Sequence, residues 1–244
     1  MDKSIYISMS GARAAMRAQT VVNHNLANAS TVGFRAELPE AATVTGADND
    51  ARAYAGVATT RFSDAQGSIM STGRPLDVAV RGEGWLAVEA PDGNEAYTRA
   101  GDLRVDAAGV LRNAAGHAVR SDGGAITIPS QASIAVGHDG AISIVPTGQA
   151  ANTLATVARI KLVRPDPATL ERGADGLFRL KGGGVAPADS TVTLESGALE
   201  SSNVNLAAQL VQMIETSRRF EWQMRGVRTA EENARNTGSL LRSG

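Results

Sequence analysis

LAAQLVQMIETSRRFEWQMRGVRTAEENARNTGSLL, residues 206–241, places an apolar side chain at every seventh position: Leu206, Met213, Phe220, Val227, Ala234 and Leu241. Leu210 and Met224 fill the alternate row, which Ser217, Glu231 and Gly238 interrupt. Positions three and four apart share a helix face, so the spacing predicts one long helix with a narrow apolar seam. Roughly 36 residues at ~1.5 Å each reach ~54 Å. That is too long to fold back on a small domain unaided. The opposite end repeats the pattern with Ile5, Met9, Ala12, Met16, Gln19, Asn23 and Leu26, predicting a helix over residues 4–28 with a weak point at Ser10-Gly11. Small seam residues such as Ala12, Ala234 and Gly238 leave little area per helix. At ~25 cal/mol per Å² such a seam does little in one monomer and much more when many copies pack. The terminal helices are therefore expected to form a coiled-coil-like domain whose seams pair with each other or with further copies.

Inward from the ends, Asn23 to Phe34 is rich in Asn and closes with Gly33, a combination that stops a helix and turns the chain. Residues 36–60 carry no apolar period and contain Pro39 and Gly46, which predicts an extended linker. From about 61 to 200, turn signals such as Pro91-Asp92-Gly93-Asn94, Asp122-Gly123-Gly124, Asp139-Gly140 and Asp175-Gly176 recur at strand-length intervals. Between them lie β-rich pieces at 76–80, 85–88, 126–128, 134–136, 142–145, 157–163, 177–180 and 191–194. No gap offers the amphipathic crossover helix a parallel sheet needs. The fold class is thus mainly β with terminal α: an antiparallel β domain over 61–200, framed by helices in 1–35 and 201–244. Ser202, Asn203 or Asn205 can cap the second helix.

Composition narrows the function. With 24 basic and 25 acidic side chains and a net charge of -1, the 244-residue chain has no global field to attract nucleic acid. No cysteine is present, which rules out disulfides and cysteine-ligated zinc. The first residues lack the apolar run of a signal peptide, and no window approaches the ~20 apolar residues that span a bilayer. Neither Sec-type export nor direct membrane insertion is expected.

The candidate chemistry is thin. Gly82-Glu83-Gly84-Trp85-Leu86-Ala87 matches the glycine spacing of dinucleotide sites, but Pro91 follows too soon for the helix whose N-terminus would hold a pyrophosphate. Two glycines in a tight turn between strands are expected instead. His24, His117 and His138 are isolated, with no partner at helical metal-ligand spacing. No catalytic residue, cofactor or metal is assigned. Arg218, Arg219, Arg225, Arg228, Arg235 and Arg242 alternate with Glu215, Glu221, Glu231 and Glu232 on the last helix, as on a solvated face or between subunits. Glu231 in a seam position favours the second, because a buried carboxylate needs a cation from a neighbour.

Three blocks carry a family resemblance. Asn25-Leu26-Ala27-Asn28 with Thr31 and Gly33-Phe34-Arg35 resembles the N-terminal signature of the bacterial flagellar rod and hook proteins. Thr72-Gly73-Arg74-Pro75-Leu76-Asp77-Val78-Ala79-Val80, then Gly82-Glu83-Gly84-Trp85 and Tyr97-Thr98-Arg99-Ala100-Gly101, is similar to their central block, with Trp85-Leu86 in place of two aromatics. Leu199-Glu200, Ser202-Asn203-Val204-Asn205, Met213-Ile214 and Arg219-Phe220-Glu221 resemble their C-terminal signature. The opening residues, the length and the stretch Met224 to Asn233 look most like the proximal rod members; distal rod and hook proteins are the near alternatives. The resemblance implies an axial structural subunit that transmits torque, with copies of itself and other rod proteins as partners and export through the flagellar type III apparatus. It also implies an assembly interface built from Ile5, Met9, Met16, Leu26, Asn28, Phe34, Leu199, Asn203, Asn205, Leu206, Leu210, Met213, Phe220, Met224 and Val227. A reading from another class, a secreted adhesive or carbohydrate-binding β module, needs a groove of exposed aromatics, for which Trp85, Trp222, Tyr54 and Tyr97 are the candidates.

Overall fold

The chain opens and closes in helix, with short antiparallel strands between. The computed structural model describes residues 3–39, 43–45, 53–55, 60–147 and 154–240, without the side chains of 3–4, 40–60, 132, 234 and 236–240. Leu241, the last position of the predicted seam, and the side chains of Ala234 and Tyr54 lie outside the described residues. Contacts divide the chain into a helical unit, Met1–Ala29, Arg35–Ser63 and Val204–Gly244, and a β unit, Ser30–Phe34 and Asp64–Asn203.

In the helical unit, α1 spans Lys3–Ala27 and α2 spans Leu206–Leu240. The predicted weak point at Ser10-Gly11 does not interrupt α1. Ser10 Oγ donates to the carbonyl of Ile7, and the side chain of Gln223 lies 2.7 Å from where a Cβ on Gly11 would stand, so the helix-weakening glycine serves close packing. Asn28 closes α1 by donating from its amide to the carbonyl of His24 at 2.9 Å. Of the three possible caps for α2, Asn205 is the one used: its Oδ1 accepts from the backbone N–H of Ala208 at 3.0 Å.

The stretch expected as a linker contains strand pairing. Glu37–Pro39 pairs antiparallel with Thr60–Phe62, and Thr43–Thr45 with Ala53–Ala55. These pieces are three residues long, too short for a pattern to mark them as strands, so their pairing becomes legible only with the partner in place.

In the β unit the strands are short, and every strand pair is antiparallel. A five-stranded sheet runs in the order Leu162–Val163, Trp85–Glu89, Glu95–Thr98, Phe178–Leu180, Leu170–Arg172. Gln131–Val136, Ala141–Pro146 and Ala155–Arg159 form a three-stranded sheet. Val78, Val80, Leu86, Leu103, Leu111, Ile126, Ile142, Ile144, Ile160 and Leu194 form one aliphatic core. Branched chains of similar size fill the space between small twisted sheets at high density, which suits a chain with so few aromatics.

Two predicted strands differ. Ile126 and Ile128 are buried, yet 126–128 forms only an isolated bridge through Thr127 to Val110. The piece at 157–163 divides at Ile160-Lys161, where Lys161 turns inward and its Nζ lies 3.0 Å from both carboxylate oxygens of Glu95. Tyr97 Oη donates to the same carboxylate and accepts from the backbone N–H of Ala186. Burial, with the charge of Glu95 adding to it, pushes the Tyr97 phenol up to about 12. Glu95–Thr98 looks polar in sequence because the charge of Glu95 is neutralised by residues distant in the chain, Lys161 66 positions away and Arg120 at 3.8 Å.

A carboxyl pair in the β unit yields a pH prediction. Asp77 and Asp102 face each other across an isolated antiparallel bridge, and Oδ1 of each is buried without a hydrogen-bond partner. Burial pushes the Asp102 carboxyl above its ordinary value, the charge of Asp77 adds to the shift, and backbone donors and Arg74 oppose it. A carboxyl that holds its proton more tightly folded than unfolded stabilises the fold below its unfolded value of ~3.9, and that contribution is lost as pH rises through the folded value. At neutral pH the ionised group is therefore a cost. Asp102→Asn is expected to raise the melting midpoint at pH 7 by about 2–4 °C, with the gain fading toward pH 3. Circular dichroism melts across that range measure it, and a gain that grows in acid would contradict it.

Candidate assembly interface

Three contacts fix how α1 and α2 lie together. Gly11 meets Gln223, Gly226 meets Ser8, and Asn25 Nδ2 donates to Gln209 Oε1 at 3.4 Å. Each step up α1 is one step down α2, so the helices are antiparallel in a single register. In that register the last two turns of α2 run past the level of Lys3.

The face packed within the chain shares one row with the predicted seam and differs in the other. Ala12, Ala15, Val22 and Asn25 are buried on α1, and Thr216 and Ala230 on α2, with Gln209, Gln212, Met213, Phe220, Gln223 and Val227 partly buried beside them. The row Ile5, Ala12, Gln19, Leu26 and the row Met213, Phe220, Val227 belong to both faces. The companion rows differ by one residue. Inside lie Ala15 and Val22, with Thr216, Gln223 and Ala230, beside an expected row of which Met9, Met16, Leu210 and Glu231 are exposed and Met224 is partly buried. Small side chains let the backbones approach, and a long Met or Leu there would hold them apart. Thr216 reads as polar in the sequence but bonds the carbonyls of Gln212 and Met213 of its own helix, which leaves its methyl group to pack.

The displaced apolar residues remain outside. Met9 and Met16 are exposed on α1 together with Tyr6 and Ile7, and Leu206, Leu210, Val211 and Ile214 on α2. Residues 206–214 are apolar on nearly every side of the helix. Trp222 is 73% exposed. Glu231 is exposed, so the premise of a buried seam carboxylate does not hold within the chain.

The remaining expected residues lie where the chain turns between helix and strand. Asn25 is 1% exposed and holds the backbone of Glu37 at both ends, donating to its carbonyl and accepting from its N–H, each at 2.8 Å. His24 Nδ1 lies 3.0 Å from Glu37 Oε1. Within the β unit, Phe34 is buried under the guanidinium of Arg172, whose carbon is 4.4 Å from the ring centroid. The N–H of Gly33 donates to the carbonyl of Glu200 at 2.8 Å and that of Asn203 to the carbonyl of Phe34 at 3.3 Å. Leu199, partly buried, pairs with Met70 across a short ribbon. Gly33 has φ +66°, and a Cβ there would come within 2.3 Å of the Arg99 backbone, so no other residue fits.

Sequence reasoning did not single out Asn25, Arg99 and Glu200. Arg99 and Glu200 are 4% and 1% exposed and form an ion pair of 2.8 Å. Their signal was present as opposite charges in two separate quoted blocks, but nothing in one sequence links the two positions. Trp85 and Tyr97 are buried, so the aromatic groove of a carbohydrate-binding module is not formed by them. Gly82 and Gly84 form the turn between Val78–Arg81 and Trp85–Glu89, with no helix after them. Among the described residues no three His, Cys, Asp or Glu side chains gather as a metal site, and no helix is long and apolar enough to cross a membrane.

Comparison with known proteins gives the family. The family described as flagella basal body rod protein matches residues 5–35, the flagellar hook protein FlgE/F/G D1 domain residues 79–144, and the flagellar basal body rod FlgEFG protein C-terminal residues 195–240. The flagellar basal-body rod protein FlgF of Escherichia coli K12 is 42% identical over 249 residues, and that of Salmonella typhimurium LT2 40%, each covering 99% of both chains. The flagellar basal-body rod protein FlgG of Bacillus subtilis 168 is 29% identical over 99% of this chain. Matched from end to end, and more like the FlgF than the FlgG relatives, the chain belongs to the flagellar basal-body rod protein family.

Proposed function

We propose that this chain is a structural, non-catalytic subunit of the proximal part of the flagellar rod and assembles through the outward faces of α1 and α2. The observation that carries the reading is the one-sided helix pair. Small residues close it internally, while Met9, Met16, Leu206, Leu210, Val211, Ile214 and Trp222 face outward. An apolar stripe of this kind is covered when neighbouring helices pack on it, and head-to-tail repetition of such a contact builds a tube or filament. Copies of the chain and other rod proteins are the proposed neighbours, with coiled-coil-like packing between them. On this reading residues 1–35 and 201–244 are the assembling part, 36–60 the connection and 61–200 the outer body. Torque passes along the tube. Export through the flagellar type III apparatus belongs to the same reading, since a helix pair closed by small residues and awaiting neighbours can open for passage through a narrow channel.

Trp222 supplies a probe. In a Trp85→Phe background it is the sole tryptophan, and its emission is expected at the wavelength of a hydrated indole in dilute monomer, moving to shorter wavelength as the chain assembles with purified basal-body components. An unshifted spectrum with the protein present in the pelleted assembly would remove this face from the interface. Absence of the wild-type chain from purified basal bodies would overturn the rod assignment itself.

A further inference from the structure

Each passage of the chain between the two units is tied, on the β side, to one residue or its immediate neighbours. The passages fall at 29/30, 34/35, 63/64 and 203/204. Next to them, the Glu200 carbonyl accepts from Gly33, and Glu200 Oε1 accepts from the N–H of Gly67 at 2.9 Å. Glu200 Oε2 accepts from Arg99 Nη1 at 2.8 Å. Ser201 donates from its backbone to Ser68 at 2.8 Å, and Asn203 Nδ2 to the carbonyl of Ala65 at 2.6 Å. Arg99 ties the knot to the sheet: its guanidinium also donates to the carbonyls of Val80 and Gly82, and it lies 5.5 Å from the Trp85 ring centroid. A Cβ on Gly67 would stand 1.9 Å from the Ser201 carbonyl oxygen, so these two segments meet too closely for a side chain there.

We infer that the buried Arg99–Glu200 pair is a load-bearing knot that holds the three β-side strands of the neck together when force is applied through them. Its position is the argument. Charge-assisted bonds shielded from water are short, directional and costly to leave half-made, so they resist separation until they break together. An apolar cluster of the same size lacks that directional resistance. The pair sits where force entering from residues 29 and 204 first meets the β unit. The inference takes its physiological meaning from the rod assignment, which incorporation of the wild-type chain into basal bodies tests separately.

The chain has no cysteine, so pulling handles can be placed without background reaction. In the full chain, handles on Ser30→Cys and Val204→Cys load the neck, and handles on Ala107→Cys and Asp122→Cys load the β unit elsewhere. Arg99→Lys and Glu200→Gln are expected to lower the neck rupture force roughly two-fold or more while changing the other geometry far less, because only one direction runs through the pair. Equal loss in both geometries reduces the pair to ordinary stability and overturns the inference, as does an unchanged neck force. Should Glu200→Gln fail to fold, Arg99→Lys, which keeps the charge, decides; failure of both to fold makes the pair a folding requirement and also overturns a specific role under load.

Discussion

Arg99→Ala is expected to lower the stability of the β unit by about 3–5 kcal/mol, enough to unfold a large fraction of the protein at physiological temperature. The substitution takes the paired cation away from a Glu200 carboxylate that is 1% exposed and that also accepts from the N–H of Gly67. It also removes a donor from the carbonyls of Gly82 and Val80, the latter still held by Gln66 Nε2, and removes the cation over Trp85. Chemical denaturation followed by circular dichroism reads the effect. A double change to apolar residues at 99 and 200 should recover part of the loss, since two neutral groups leave no charge uncompensated. A loss below about 1 kcal/mol for Arg99→Ala would mean that water reaches Glu200 and that the pair is not sealed.

Leu210→Asp is expected to abolish motility while leaving the melting curve of the monomer nearly unchanged. Leu210 is 42% exposed, so the monomer loses little by the change. In an assembly that covers it, each copy forfeits about 1.5–3 kcal/mol of burial and gains a desolvated carboxylate, and the cost repeats with every subunit. Phe220→Asp is the less discriminating variant. Phe220 is partly buried in the contact of α2 with α1, so its loss disturbs the helix pair before any neighbour is involved. Swimming assays paired with thermal melts separate the two cases. Wild-type swimming by a strain carrying Leu210→Asp would remove this face from the assembly.

The exposed stripe also explains why the seven-residue pattern was legible while the partner of each row was not. Ile5, Met9, Ala12 and Met16, like Leu206, Leu210, Met213 and Phe220, combine one row that packs within the chain with one that does not. Apolar periodicity reports every surface a helix buries, in the monomer or later, and cannot say which partner covers which row. Apart from Val22, the internal partner row of Ala15, Thr216 and Gln223 consists of small or polar types that a hydrophobicity pattern passes over. Their selection depends on how closely two backbones can approach, which exists only once both helices are in place.

The sequence by itself determined the two terminal helices and the Asn205 cap among its candidates, because helix signals are local: spacing, capping side chains and turn residues act within a few positions. It determined the antiparallel β middle through repeated turn chemistry, and three blocks pointed to the family. Only the tertiary structure decided the register of α1 on α2, the strand pairs within 37–62, the turning-in of Lys161 toward Glu95, and the meeting of Gly33, Gly67, Arg99 and Glu200. Those are pairings between residues up to 218 positions apart, from Ser8 to Gly226. Their energies depend on burial and mutual geometry, which no single stretch of sequence contains.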